Sequence, residues 1–324
     1  MKLTVLSEAV VREVLTLDLA FEAVSSALES VAAGRTDIMP VVHADGDAPG
    51  AGFGVKTATD LPAGLLGLKV GSYFPGNHAR GIPNHGSTTL LLDAETGLPR
   101  ALVSAGYLNG FRTAAANAVA VDRLARADAS TLGVLGAGHQ AAFEVRAVAH
   151  RRSLSTVKVW SRSLDSARAL CRDLADLGCT LTAVATPEDA VRGSDIVTTV
   201  TPAREALIPA DSVAPGTHLS AMGADAVGKQ ELDPSLMGGA LLFADLPAQS
   251  ARIGEFQHAV ARGVLSEDQI IPIGEVLIGR HPGRRTDQEV TVFDSSGVAP
   301  QDLHVAAAVL REAAARGLTT DIEF

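Results

Sequence analysis

Leu132-Gly133-Val134-Leu135-Gly136-Ala137-Gly138-His139-Gln140-Ala141 is an apolar run, then a Gly-x-Gly-x-x-Ala turn, then the opening of a helical pattern. In such a turn Gly136 permits the sharp reversal, Gly138 lets backbone approach a pyrophosphate, and Ala141 is small where helix and strand pack closely. The helix that starts there aims its partly positive N-terminus at the phosphates. A bare Gly-x-Gly is an ordinary turn, so the context decides. Here a strand precedes, a helix follows, and a second apolar run, Val157 to Trp160, comes next. Gly136, Ala137, Gly138, His139 and Gln140 are therefore the expected contacts to a dinucleotide.

About 20 residues on, NAD-preferring versions place a carboxylate for the adenosine ribose. This chain has Ser161-Arg162-Ser163, with no acid until Asp165. A guanidinium between two hydroxyls suits a 2′-phosphate that a carboxylate would repel. NADP(H) is the expected cofactor, with NAD(H) possible. Thr201, past the next strand, joins the expected cofactor contacts.

Outward from this loop the chain alternates strand and helix. Strands are expected over 131–135, 157–160, 181–184, 196–200, 218–222, 241–244 and 290–293, and a helix over 140–150. That alternation predicts a Rossmann-type, doubly wound parallel sheet in an α/β protein. Upstream, Ala20, Val24, Ala27, Leu28 and Val31 keep helical spacing between Thr16, a capping residue, and Gly34. From Phe53 to Val103 short apolar runs, Leu65 to Val70 and Thr88 to Leu92, alternate with Pro75-Gly76, Gly81-Ile82-Pro83 and Thr96-Gly97, the texture of an antiparallel sheet. An Ala-rich helix is expected over 113–129 and another over 303–316. The expected domains are 121–299 for the dinucleotide and 1–120 with 300–324 for substrate and dimerisation.

The 324 residues exceed what one core usually organises. Apolar residues at 47% and a net charge of −10 describe a folded chain that avoids polyanions, so no nucleic-acid partner is expected. Two cysteines, Cys171 and Cys179, make neither a disulfide framework nor a zinc site, and no metal is expected. No run of 18 apolar residues occurs, and Glu8, Arg12 and Glu13 interrupt the start. A cytoplasmic protein without membrane attachment is the expectation.

Several further blocks resemble the ornithine cyclodeaminase and mu-crystallin family. They are Gly67-Leu68-Lys69-Val70, Phe74-Pro75-Gly76-Asn77, Leu91-Leu92-Asp93 with Thr96-Gly97, Phe111-Arg112-Thr113-Ala114-Ala115, the glycine loop, and Gly223-Ala224-Asp225 before Gly228-Lys229-Gln230-Glu231-Leu232. The resemblance implies a Rossmann domain inserted into an N-terminal domain that the C-terminal helix completes. It also implies a homodimer built through the N-terminal sheets. It makes Lys69 and Arg112 ligands of a substrate carboxylate and Asp225 the acid at the reacting carbon, with Lys69 also beside the chemistry. Chemistry asks for the same groups: cations to fix the carboxylate of an amino or imino acid, and an acid to relay a proton.

The chain departs from the family pattern after Met39-Pro40, where it reads Val41-Val42-His43 instead of supplying an arginine. His43 is the candidate replacement. His85, in the turn-like stretch Asn84-His85-Gly86-Ser87, is a further candidate substrate contact, and Lys56 a second cationic one. Asn109-Gly110 stands where a threonine is common. These departures argue against strict ornithine specificity. An NAD(P)H-dependent imino-acid reductase, working in reverse as an amino-acid dehydrogenase, is the leading expectation. A cyclodeaminase that recycles bound NAD is the alternative. A ligand-binding protein in the manner of mu-crystallin is the third reading, which two cations and a carboxylate disfavour. Asp294-Ser295-Ser296-Gly297 is expected to close over the nicotinamide end.

Overall fold

In the computed structural model, which describes residues 2–323, the chain divides into two compact units. One combines the residues up to Arg112 with those from Val298 onward, and the other is Thr113–Gly297. The boundary falls inside a helix, α3 (Gly106–Leu124).

The first unit is an eight-stranded sheet with helices α1 (Glu8–Val14), α2 (Leu17–Ala32) and α10 (Ala299–Ala315). Its strands are β1 (Lys2–Leu6), β2 (Thr36–Ile38), β3 (Val42–Asp45), β4 (Gly52–Asp60), β5 (Leu65–Tyr73), β6 (His85–Leu92), β7 (Pro99–Ser104) and β18 (Thr320–Glu323). They lie in the order β18-β1-β7-β6-β5-β4-β2, with β3 also on β4, and all pairs but β1–β7 are antiparallel. The Thr16 hydroxyl caps α2 by accepting from Leu19 N at 3.1 Å, and Ala20, Val24, Ala27 and Leu28 form its buried stripe. α10 packs on α2 and across β4, β5 and β6. Directly paired residues share a sheet face, so Ala58, Gly67, Leu91 and Ala101 form one row on the side that α10 covers. Val55 and Val70, and Leu68 with Leu90 and Leu102, lie on the opposite face and stay half-exposed.

The second unit is a wholly parallel sheet of eight strands. These are β8 (Thr131–Leu135), β9 (Thr156–Trp160), β10 (Thr180–Ala183), β11 (Ile196–Thr199), β13 (His218–Ala221), β15 (Leu241–Ala244), β16 (Ile271–Pro272) and β17 (Thr291–Asp294), in the order β10-β9-β8-β11-β13-β17-β15-β16. β12 (Arg204–Ile208) and β14 (Gln230–Leu232) form a small separate pair. Helices α4 (His139–Arg151), α5 (Leu164–Asp173), α6 (Pro187–Val191), α7 (Pro247–Ile253), α8 (Gln257–Ala261) and α9 (Ile273–Leu277) complete it. Every residue of β11, β13 and β17 is buried, as expected for strands covered on both faces. The chain reverses its winding between β8 and β11, and in such sheets ligands bind at the carboxyl ends beside that reversal. This is the Rossmann-type doubly wound arrangement, joined to an α+β unit.

The helix expected over 113–129 begins instead at Gly106 and ends at Leu124. Glu8 Oε1 accepts Tyr107 N at 3.0 Å, and Leu108 and Phe111 are buried, so packing carries the helix through Gly106, Asn109 and Gly110 despite their poor propensity. Arg112 consequently sits within the helix, not ahead of it. His85 likewise opens strand β6, paired with Tyr73, where a loop was expected. Among the described residues no helix is long and apolar enough to cross a membrane.

Candidate active site

In the first unit, β5 carries Lys69, α3 carries Asn109 and Arg112, and the first turn of α10 carries Gln301 and Asp302. Lys69 and Arg112 are 6% and 7% exposed, and Asp302 is fully buried. Lys69 Nζ donates to Asp302 Oδ1 and to Asn109 Oδ1, both at 3.0 Å. Arg112 donates to the same Asn109 oxygen at 2.9 Å and to Gln301 Oε1 at 3.4 Å. Its Nε lies 3.1 Å from Asp302 Oδ1, an ion pair whose angle does not make a hydrogen bond. One carboxylate oxygen therefore holds two cations. Burial pushes the Asp302 carboxyl up, but Lys69, Arg112 and Lys56 outweigh it and hold it below the usual range. Burial brings Lys69 down to about 7, with Asp302 opposing and Arg112 and Lys56 adding to the fall.

Four buried polar atoms in this corner have no hydrogen-bond partner among the described residues: Asp302 Oδ2, Gln301 Nε2, Thr89 Oγ1 and Ser87 Oγ. Such atoms are rare in folded proteins, because each forfeits its hydration without replacement. An acceptor, a donor and two hydroxyls beside two cations match a small polar anion. A Lys69 that titrates near 7 binds a carboxylate only while protonated. The inhibition constant of a simple carboxylate such as propionate is therefore expected to rise about tenfold per pH unit above neutrality in the limit where Lys69 dominates binding. Lys69→Arg, which keeps its charge, flattens that rise. An unchanged slope in the variant counts against Lys69 as the titrating ligand.

The other two first-unit candidates are exposed. His43 lies on β3, and His85 stacks against Tyr73 with ring centroids 4.6 Å apart.

In the second unit, Gly136 leaves β8 at φ +120°, donates to Trp160 O at 2.9 Å, and would bring a Cβ within 2.7 Å of Val200 O. Gly138 occupies the cap position of α4 and supplies no side chain to its N–H groups. Nothing lies within 4 Å of where its Cβ would be. His139 packs on Phe143, and Gln140 donates to Glu144 one turn along, so both side chains turn back along the helix. The bare helix N-terminus over an open approach fits a pyrophosphate. A recess beside it is lined by Ala137, Gly138, His139, Ser166 and Asp173 among others. After β9, Ser163 caps α5 by accepting from Ser166 N at 3.3 Å. Arg162 is exposed and makes no ion pair among the described residues.

Thr201 gives both its N–H and its hydroxyl to Glu231 Oε1, at 2.7 and 2.6 Å. Glu231 Oε2 accepts from Thr199 Oγ1 at 2.7 Å and from Gly223 N at 2.9 Å. Burial raises this carboxyl, and those hydrogen bonds oppose it. Glu231 thus ties the turn after β11 to the one after β13, which leads to Asp225. Asp225 is exposed and pairs with Lys229 at 2.5 Å, while Lys229 also donates to Gly223 O at 3.2 Å. At the end of β17 burial raises the Asp294 carboxyl well above its ordinary range, and the Ser250 hydroxyl donates to it. Ser295 Oγ and Gly297 N both donate to Asp245, at 3.0 and 2.7 Å, which fixes the Asp294-Ser295-Ser296-Gly297 turn. No group of three or more His, Cys, Asp or Glu side chains is placed to hold a metal ion among the described residues.

Asn109, Gln301, Asp302 and Glu231 were not among the expected site residues. Glu231 stood in a quoted block and Asn109 in a noted departure from the family pattern, but nothing in the sequence marked Gln301 or Asp302.

The iminosuccinate reductase of Paracoccus denitrificans is 39% identical over 319 residues, 98% of this chain and 99% of that one. Its crystal structure in complex with NAD+ superposes with a TM-score of 0.95 at 38% identity, covering all of both chains. The alanine dehydrogenase of Archaeoglobus fulgidus is 33% identical over 328 residues, 100% of this chain and 99% of that one. An archaeal alanine dehydrogenase dimer with bound NAD gives a TM-score of 0.94 at 33% identity, again over the whole of both. Residues 1–317 match the sequence profile that defines their common group. With that match and relatives aligned nearly end to end, the chain belongs to the ornithine cyclodeaminase/mu-crystallin family.

Proposed function

We propose that this protein is a nicotinamide-dependent reductase of α-imino acids that also dehydrogenates the corresponding amino acids. The observation that carries the reading is the buried Lys69–Asp302–Arg112 cluster with its four unsatisfied polar atoms. Lys69 and Arg112 take the substrate carboxylate, Arg112 through its fork and Lys69 as a point charge. The unspent Asp302 Oδ2 is an acceptor for the substrate N–H. NADPH, when bound at Gly136–Gln140, supplies the hydride to the substrate's imino carbon. Asp225 passes a proton to the nitrogen in reduction and removes one in oxidation, and Lys229 steadies its carboxylate. Relatives named as reductases and dehydrogenases, which align over the whole chain, support the reading.

Arg162 and Ser163 favour NADPH over NADH, with Arg162 as the 2′-phosphate ligand. Arg162→Glu is expected to lower the NADPH:NADH ratio of kcat/KM by about 10- to 100-fold, the worth of one charge-assisted contact. A ratio that does not move returns Arg162 to the solvated surface. The half-exposed apolar face of the first-unit sheet supports a homodimer, a state that one archaeal relative adopts. Light scattering is expected to give twice the chain mass of 33.3 kDa, and Leu90→Glu, on that face, to return it to one. Both cysteines are free, in keeping with work in a reducing cytoplasm.

The deciding experiment adds Δ1-pyrroline-2-carboxylate, Δ1-piperideine-2-carboxylate, or a 2-oxo acid with ammonia to the purified protein, with NADPH and NADH in parallel. Oxidation of the reduced cofactor with at least one is expected. None with any of them overturns the reading.

A further inference from the structure

Beside Lys69 the sheet of the first unit has a floor without side chains. Register pairs Lys56 with Lys69 and Lys69 with Thr89, so these three side chains share one face. The next row along the same face is His43, Gly54, Gly71 and Ser87. A Cβ on Gly54 would fall 2.9 Å from His43 Nδ1, so the imidazole leans over that glycine. A Cβ on Gly71 would meet nothing nearer than Lys69 Cε, at 4.0 Å. Ser87 and Thr89 close the two rows, each with a buried hydroxyl that has no hydrogen-bond partner among the described residues. The result is a bare strip, one strand spacing wide, flanked by Lys56, Lys69, an imidazole and two unsatisfied hydroxyls.

We propose that this strip seats a second carboxylate, carried on the substrate's side chain, and that Lys56 is the residue that selects it. The preferred substrate is then a short α-imino dicarboxylic acid. This rests on the reductase reading above and narrows its substrate.

The electrostatics favour an anion. Lys56 is close enough to Lys69 and Asp302 to perturb both. A carboxylate between two lysines relieves their repulsion, whereas the distal ammonium of a diamino acid adds to it. A ring imine with only methylenes at this end leaves the Ser87 and Thr89 hydroxyls unsatisfied. The length also fits, because neighbouring strands lie about 4.8 Å apart, which two carboxylates joined by two carbons can span. The reaction balances without a further reagent. A 2-oxo dicarboxylic acid and ammonia condense with loss of water, and one hydride from the reduced nicotinamide with one proton yields the amino dicarboxylic acid and the oxidised cofactor.

The test compares oxaloacetate with pyruvate, each with saturating ammonia, on the full-length protein. The kcat/KM of the wild type is expected to favour oxaloacetate by about tenfold or more, and Lys56→Gln to lower that preference about 10- to 100-fold. Lys56→Arg, which keeps the charge, retains most of it. A wild type that prefers pyruvate or a ring imine overturns the proposal and leaves the reductase reading standing. So does a preference that Lys56→Gln does not change. If neither these two substrates nor a ring imine is reduced, the reductase reading fails, and the strip is judged by calorimetry with succinate against propionate. Tighter succinate binding that Lys56→Gln abolishes upholds the strip, and equal binding removes it. Should Lys56→Gln not fold, Lys56→Arg and the wild-type preference decide.

Discussion

Asp302→Asn is expected to raise the KM for an α-imino acid by about 10- to 100-fold at about pH 8, with most of the loss recovered near pH 6. Asp302 is the attraction that keeps Lys69 from titrating even lower than about 7. Without the carboxylate, burial and Arg112 act unopposed, Lys69 becomes a neutral amine at working pH, and the substrate carboxylate loses one of its two cations. Acid restores the proton and hence the contact. Stability moves the other way. Between the lowered folded-state pKa and the ordinary lysine value the unfolded chain binds more protons than the folded one, so the variant gains stability as pH rises. A KM and a melting temperature that both rise with pH, affinity falling while stability grows, are the signature of a positioning role. A variant whose KM falls or stays level as pH rises, or whose KM matches the wild type, removes Asp302 from that role.

Gly136→Val is expected to abolish dinucleotide binding and to cost roughly 3 kcal/mol or more of stability. The residue sits at φ +120°, and any Cβ would press on the backbone oxygen of Val200 at 2.7 Å. That oxygen belongs to the turn after β11, so relief has to come from moving the strand ends that frame the cofactor. At about 2 to 4 °C per kcal/mol for a domain of this size, the melting temperature is expected to fall by roughly 6 to 12 °C. Cofactor binding, followed by quenching of Trp160 or by calorimetry, is expected to vanish at concentrations that saturate the wild type. A variant that binds normally and melts normally means that the loop has another conformation.

The second unit was the more legible half. Its central strands β11, β13 and β17 are fully buried runs, and 131–135 and 241–244 were read to the residue. The first unit hid more. β1 and β18 pair with each other from opposite ends of the chain, Lys2 opposite Glu323, and short strands of that kind carry no local periodicity. α3 was read seven residues short because glycine and asparagine were weighed by propensity, whereas Leu108 and Phe111 were being buried. The site shows the same division. Lys69 and Arg112 were legible through the blocks that resemble the family. Asp302 lay just before the helix expected from 303, and its meaning depends on partners 233 and 190 positions earlier, which no spacing rule reaches. Lys56 gained weight only once the register set it opposite Lys69.

The path of the chain through its two units also bears on how the protein is made. Thr113–Gly297 is continuous and holds its own sheet, so it can fold while still emerging from the ribosome. The first unit cannot. Until α10 has been synthesised, Lys69 and Arg112 face burial with no counter-charge, and β1 waits for a strand more than three hundred residues downstream. The nascent N-terminal segment is thus held open and exposed through most of translation, when a chaperone would find it, and it closes in a late, long-range step that costs the most loop entropy.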